Sequence, residues 1–239
     1  MIEKLLMKLR LRDDVSAEEE RALRAIPHAP VKIPRRTTFV RAGQVLDAST
    51  LLLDGLMCRY KDMRNGSRQI SELHVPGDFA DLHSLTLKRL DHNIITMSEC
   101  TAVAFPHKGL RELTENYPHL TRVLWFSTNL DAAIHREWVL SLGRRTAIAR
   151  VAQFFCEVYI RLEIVGLAKG GEYALDFTQI DLAECTGLTP VHVNRTLRAL
   201  REQGLAEFRS GQVRITDLAQ LKRCAEFDDT YLSLEKRPR

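Results

Sequence analysis

Between Thr178 and Gly204 the chain reads TQIDLAECTGLTPVHVNRTLRALREQG, and the arginines in this stretch could do recognition chemistry. A guanidinium is a planar fork that donates paired hydrogen bonds to a guanine edge or a phosphate. Placed at about 100° per residue, Val193, Leu197 and Leu200 fall on one side of a helix. Val191, Arg195, Arg198 and Glu202 fall on the opposite side, with His192 on the flank. A helix buried on one face and carrying arginines on the other suits the major groove of duplex DNA. Arg209 and Arg214 follow in LAEFRSGQVRIT, two alternating arms around Ser210-Gly211, and could reach phosphates. From Thr189 to Arg214 there are five arginines and two glutamates, a local balance of +3 within a chain whose net charge is +4.

Such side chains work only if other elements aim them. Thr178, followed by Asp181, supplies an N-cap and a first-turn acid. Ala183, Gly187 and Val193 have helix-turn-helix spacing: a small residue for close approach, a glycine for a left-handed turn, and a packing residue on the second helix. Thr189 caps that second helix and Pro190 fits its first turn, where no N–H is needed. The arms around Ser210-Gly211 read as a hairpin, the wing of a winged helix.

Upstream the pattern differs. From Val31 to Phe105, short apolar runs alternate with turn signals at Ala42-Gly43, Asp54-Gly55, Asn65-Gly66 and Pro76-Gly77-Asp78. Strands are expected at Thr37–Val40, Leu51–Leu53, Met57–Tyr60, Arg68–Val75, Ile94–Met97 and Ala102–Phe105, as an antiparallel sandwich or roll. Pro118 to Leu142 reads as one long helix whose apolar stripe includes Leu120, Leu124, Leu130, Ile134 and Trp138, widened by Val123, Phe126 and Val139. Gly143 marks a joint before a further helix, Arg144 to Ile164.

Composition excludes several classes. The 239 residues are 45% hydrophobic and 28% charged, enough for sizeable cores, and no apolar run is long enough to span a membrane. The N-terminal residues interleave charge with leucine, so a cytoplasmic protein is expected. The five cysteines, Cys58, Cys100, Cys156, Cys185 and Cys224, are too scattered for a zinc ribbon or a disulfide framework. No P-loop, dinucleotide fingerprint or nucleophile elbow is present, so no enzyme is expected.

On these residues the chain resembles the Crp/Fnr family of bacterial transcription regulators along nearly its whole length. The marks are the turn glycines, His74-Val75-Pro76-Gly77-Asp78-Phe79, the long helix, Leu142-Gly143-Arg144-Arg145-Thr146-Ala147, and GLTPVHVNRTLRALREQGL. The resemblance implies an α+β protein with three parts. These are a cyclic-nucleotide-binding-like antiparallel β-roll (1–117), a dimerisation helix (118–142) and a C-terminal winged helix-turn-helix (143–239). It further implies a homodimer joined through Leu120, Val123, Leu130, Ile134 and Trp138, a palindromic double-stranded DNA site, and RNA polymerase as a partner. The family's base-reading face falls on Pro190, Val191 and Arg195, with Thr178, Thr189 and His192 near phosphates. Pro190 and Val191 stand where the best-known members usually carry charged or polar residues, and Val191 could meet only a thymine methyl or nothing.

The resemblance also locates an effector pocket at Gly77, Asp78, Asp81, His83 and His92. The arginine that holds a cyclic phosphate in nucleotide-binding members is missing near Asp91-His92-Asn93-Ile94, so cyclic-nucleotide dependence is not expected. The N-terminus also lacks the cysteine cluster of the oxygen-sensing branch. No cofactor or metal is expected, because no His-x-His or His-x-x-x-His pair supplies two ligands from one element. The alternatives are a ligand-gated regulator whose roll binds haem, metal or another small effector and, more remotely, a cupin-like metalloenzyme using Asp78, Asp81, His83 and His92.

Overall fold

A computed structural model describes all 239 residues. The chain opens on two helices, α1 (Glu3–Arg12) and α2 (Ala17–Ala25), which the alternation of charge and leucine had not suggested. Ser16 closes a capping box with Glu19 at the start of α2, and Leu5, Leu6 and Leu9 of α1 are buried. Seven strands follow: β1 (Val31–Ile33), β2 (Thr38–Val40), β3 (Ala48–Asp54), β4 (Met57–Asp62), β5 (Arg68–His74), β6 (Asn93–Thr96) and β7 (Cys100–Pro106). A short helix, α3 (Ser84–Leu87), interrupts them between β5 and β6. The strands form two sheets, ordered β1-β7-β3 and β2-β6-β4-β5, as the alternating pattern predicted. Only Gly66 of the Asn65-Gly66 turn takes positive φ; the Asn65 side chain instead accepts from the Ser67 N–H, an Asx turn.

After α4 (His107–Asn116) comes the long helix α5 (Pro118–Arg144), which continues through Gly143; the joint falls at Thr146, the N-cap of α6 (Ala147–Glu163). The remainder comprises β8 (Ala168–Lys169), β9 (Glu172–Ala174), α7 (Gln179–Thr186), α8 (Pro190–Glu202), β10 (Ala206–Arg209), β11 (Gln212–Ile215), α9 (Leu218–Ala225) and a 3-10 turn, Asp229–Leu232.

Two compact units emerge, and α5 is divided between them at Ala133/Ile134 rather than standing apart as residues 118–142. The first comprises Met1–Tyr60, Leu73–Ala133 and Leu232–Arg239; the second comprises Lys61–Glu72 and Ile134–Tyr231. In the first, Leu5, Leu6, Leu9, Leu51, Val103, Phe105, Leu120, Val123 and Leu124 share one core. In the second, Glu157 is fully buried on α6 and accepts hydrogen bonds from Trp138 Nε1 at 3.0 Å, Arg161 Nη1 at 2.9 Å and Tyr231 Oη at 2.8 Å. A buried carboxylate survives there because donors converge on it.

The residues expected at a dimer interface lie in different settings. Leu120, Val123, Ile134 and Trp138 are buried within the chain and Leu130 is half-buried, so this stripe serves the protein's own cores. A different row of α5 faces outward: Trp125, Asn129, Ala132, Arg136, Val139 and Gly143 are all exposed, at alternating spacings of four and three. An alternation of four and three is the spacing that a coiled-coil seam repeats.

Candidate DNA interface and the histidine pair of the roll

The helix-turn-helix is assembled by its caps. Thr178 Oγ1 accepts from the Asp181 N–H at 3.2 Å, and the Asp181 carboxylate accepts from the Thr178 N–H at 2.6 Å. Gly187 ends α7 at φ +62°, left-handed, and a Cβ there would stand 2.9 Å from Leu142 Cδ2, so both turn geometry and space favour glycine. Thr189 Oγ1 then accepts from the His192 N–H at 3.2 Å, with Pro190 in the first turn of α8.

Along α8, Val193, Thr196 and Leu200 are buried and Leu197 is half-buried. Pro190, Val191, His192, Asn194, Arg195 and Arg198 are exposed, so the structure sorts the helix as the periodicity required. Val191 is 69% exposed. An apolar side chain left so open has no folding role. Arg195 makes no ion pair with the protein, whereas Arg198 is tied to Glu202 at 2.7 Å. Of the two, Arg195 is the guanidinium at liberty to read a base edge. Asn194, exposed beside it and bonded to Gln179 Oε1 at 3.3 Å, was missed by sequence reasoning because its polarity drew no attention on a face already rich in arginine.

The wing forms as expected. β10 and β11 pair from Ala206↔Ile215 to Arg209↔Gln212, and Ser210 and Gly211 both take positive φ. β9 and β8 extend the hairpin to four strands. Arg209 and Arg214 are exposed on it, and Arg214 approaches Glu172 at 3.4 Å. Thr178 and Thr189 lie exposed at the starts of α7 and α8, where backbone N–H groups and helix dipoles favour phosphate.

Residues 30–117 match the cyclic nucleotide-binding domain family, and residues 149–224 match the Crp-like helix-turn-helix domain. A Rhizobium leguminosarum protein described as a "probable transcriptional activator" is 30% identical over 80% of this chain and 79% of its own length. This chain belongs to the Crp/Fnr family. The nitrogen fixation regulation protein FixK of Azorhizobium caulinodans is 28% identical, covering 88% of this chain and 84% of that protein. Among solved structures, FixK2 from Bradyrhizobium japonicum superposes with a TM-score of 0.75 at 24% identity, over 82% of this chain and 96% of that one. This Crp/Fnr member is accordingly a DNA-binding transcription regulator and not an enzyme. No helix is long and apolar enough to cross a membrane.

In the roll, the residues expected to line an effector pocket have different surroundings. A Cβ at Gly77 would meet the Lys4 carbonyl at 2.7 Å, so this glycine serves close packing against α1. Asp78 is committed to the fold: it accepts from Lys8 Nζ at 2.5 Å and from the Val75 N–H at 2.8 Å. Asp81 is buried, accepts from the Thr50 N–H, and is pushed up to about 7 by burial.

His83 and His92 do come together, their ring centroids 5.5 Å apart, although eight residues including α3 separate them. Burial, then the nearby Arg59 charge, lowers His83 to about 4, and burial lowers His92 as well. Arg59 is a residue the sequence did not single out. Its guanidinium donates to the Ala80 carbonyl at 2.7 Å and to Asp131 Oδ2 at 2.6 Å. A strand arginine meeting a helix aspartate 72 residues later leaves no local trace in sequence.

The cysteines are structural in setting. Cys58, Cys100, Cys156 and Cys185 are buried, and burial pushes the Cys156 thiol up to about 12.

Proposed function

We propose that this regulator acts as a cytoplasmic homodimer that reads a palindromic DNA site, one α8 in the major groove of each half-site. The observation that carries the reading is the outer face of α8, where an unpaired Arg195 stands with an exposed Val191 and Asn194 on a helix rigidly capped at its start. Arg195 serves guanine, Val191 meets a thymine methyl, and Thr178, Thr189, His192, Arg209 and Arg214 hold phosphates. The exposed α5 row from Trp125 to Gly143 supplies the dimer seam, with Ala132 and Gly143 small enough for close helix approach. RNA polymerase is the partner expected of a regulator of this family.

DNA binding proceeds without a cyclic nucleotide. A cyclic phosphate needs a cationic donor, and the arginine in this part of the roll, Arg59, is already engaged by Asp131 and Ala80. Near the expected arginine position stands Asp91, whose side chain is exposed and repels phosphate.

Selection from a randomised duplex library, with the purified protein and no effector at about 150 mM salt, tests this reading under conditions where phosphate contacts alone do not dominate. The expected result is a two-fold palindrome. Recovery of a palindrome only after cyclic AMP or cyclic GMP is added would refute nucleotide independence, and recovery of an asymmetric site would refute the dimeric reader.

A further inference from the structure

We propose that His83 and His92 of the roll together bind one divalent transition-metal ion of the zinc class, with Asp91 orienting the His92 ring. The proposal deepens no part of the DNA reading and concerns the roll alone.

Three observations carry it. The first is separation. An ion sits about 2 Å from an imidazole nitrogen, so two imidazoles on one tetrahedral ion place their ring centres about 5 Å apart. The His83 and His92 centroids are 5.5 Å apart, with the planes inclined at 43°. That inclination is not the parallel offset of a simple stack.

The second is the state of each nitrogen. His92 Nδ1 lies 2.9 Å from Asp91 Oδ1, which fixes the Nδ1–H tautomer and leaves Nε2 as the lone-pair nitrogen. That Nε2 is buried and has no hydrogen-bond partner in the protein. A carboxylate behind one ring nitrogen and an unsatisfied second nitrogen facing inward is the arrangement of a metal-ligating histidine. The His83 side chain likewise makes no hydrogen bond, so nothing competes for its donor atoms.

The third is the local charge. Arg59 opposes a cation, and Asp131, bound to it at 2.6 Å, offsets part of that charge. Asp131 also contributes a favourable negative charge at both His83 and His92. Two imidazoles select the borderline ions Zn(II), Co(II) and Ni(II) over Mg(II) or Ca(II), which prefer all-oxygen ligands.

The test uses the full-length protein, stripped with chelator and dialysed, then titrated with Co(II) in visible absorbance and with Zn(II) in calorimetry. One ion per chain is expected, with Co(II) d–d bands displaced by Zn(II) and no response to Mg(II). His83→Gln and His92→Gln should each weaken binding at least about tenfold, and Asp91→Asn about 10- to 100-fold, the usual range for a partner behind a ligating histidine. His28→Gln, at an exposed histidine elsewhere, should change nothing. Circular dichroism confirms that each variant is folded. Because a glutamine variant could fail to fold, ring nitrogen shifts of all eight histidines are also recorded in the unaltered protein, where Zn(II) should move His83 and His92. Absence of saturable binding, full binding in the His83→Gln/His92→Gln double variant, or Zn(II) shifts confined to other histidines would each overturn the proposal. None of these measurements involves DNA, so their failure is distinct from failure of the DNA reading.

Discussion

Arg195 and Arg209 carry the same charge, but their surroundings assign them different work. Arg195 projects from the exposed face of the recognition helix, so Arg195→Ala should cost about 1–3 kcal/mol on the preferred site and flatten discrimination at one base position. Arg209 stands on the wing, and Arg209→Ala should weaken all sequences evenly while lowering the salt slope by about one unit. Equal losses from both, irrespective of sequence, would refute the division. A second residue-scale contrast lies in the first unit, where His119 lies 2.6 Å from Glu19 Oε1 and 3.1 Å from Asp13 Oδ1. Burial disfavours its charge, but the two carboxylates outweigh burial and raise its pKa. A raised folded pKa gives stability that is complete below the unfolded value of about 6.5 and is lost as pH rises through the folded value. The stability difference between wild type and His119→Gln, read from urea midpoints, should therefore be largest near pH 5–6 and shrink toward pH 8. It should also shrink in strong acid, where Asp13 and Glu19 take up protons. A difference that grows between pH 6 and 8 would reverse the assigned sign.

At the scale of elements, α5 shows what a sequence hides. Its apolar residues announce a helix, and the structure delivers one at Pro118–Arg144, but hydrophobic periodicity finds the buried stripe and is silent about the exposed row beside it. Leu120, Val123, Ile134 and Trp138 sit against the protein's own cores, while the outward row includes Asn129 and Arg136 and so reads as ordinary surface. The helix-turn-helix was legible because its determinants are local: caps at Thr178 and Thr189, a left-handed glycine at 187, and a face repeating within one helix. His83 and His92 were legible as candidates but not as a pair in contact, and Arg59–Asp131 was not legible at all, because its two members lie 72 residues apart. The two stripes of α5 make separable predictions. Val139→Glu should yield monomers of near-native stability, since Val139 is 59% exposed and a seam cannot bury facing carboxylates. Ile134→Ala should instead cost about 2–4 kcal/mol of folding stability and leave the dimer intact, because its side chain fills a core. Sedimentation and denaturant melts distinguish them, and exchange of the two phenotypes would restore the inner stripe as the interface.

For the molecule as a whole, modest charge must yield high specificity. The net charge is only +4, so uniform attraction to phosphate is weak, but five arginines gathered between Thr189 and Arg214 concentrate it on one small surface. In the proposed reading, a single such surface reads only the few base pairs that Val191, Asn194 and Arg195 can reach, too few to mark one site in a genome. In the proposed dimer, two copies joined along α5 double the reading and turn the second contact into an intramolecular event, which raises overall affinity about 10²- to 10⁴-fold when both half-sites are reachable together. Reachability is set by the DNA helix: recognition helices of a two-fold dimer need half-sites on one face, about 34 Å or one turn apart. Inserting about five base pairs at the centre of the selected palindrome turns one half-site to the far side and should remove most of that gain. The affinity that remains should match the Val139→Glu monomer on the uninterrupted site, because both retain one reader and lose the link between two. Equal affinity for the spaced and native palindromes would mean that each copy binds alone, and the α5 seam would then have no part in recognition.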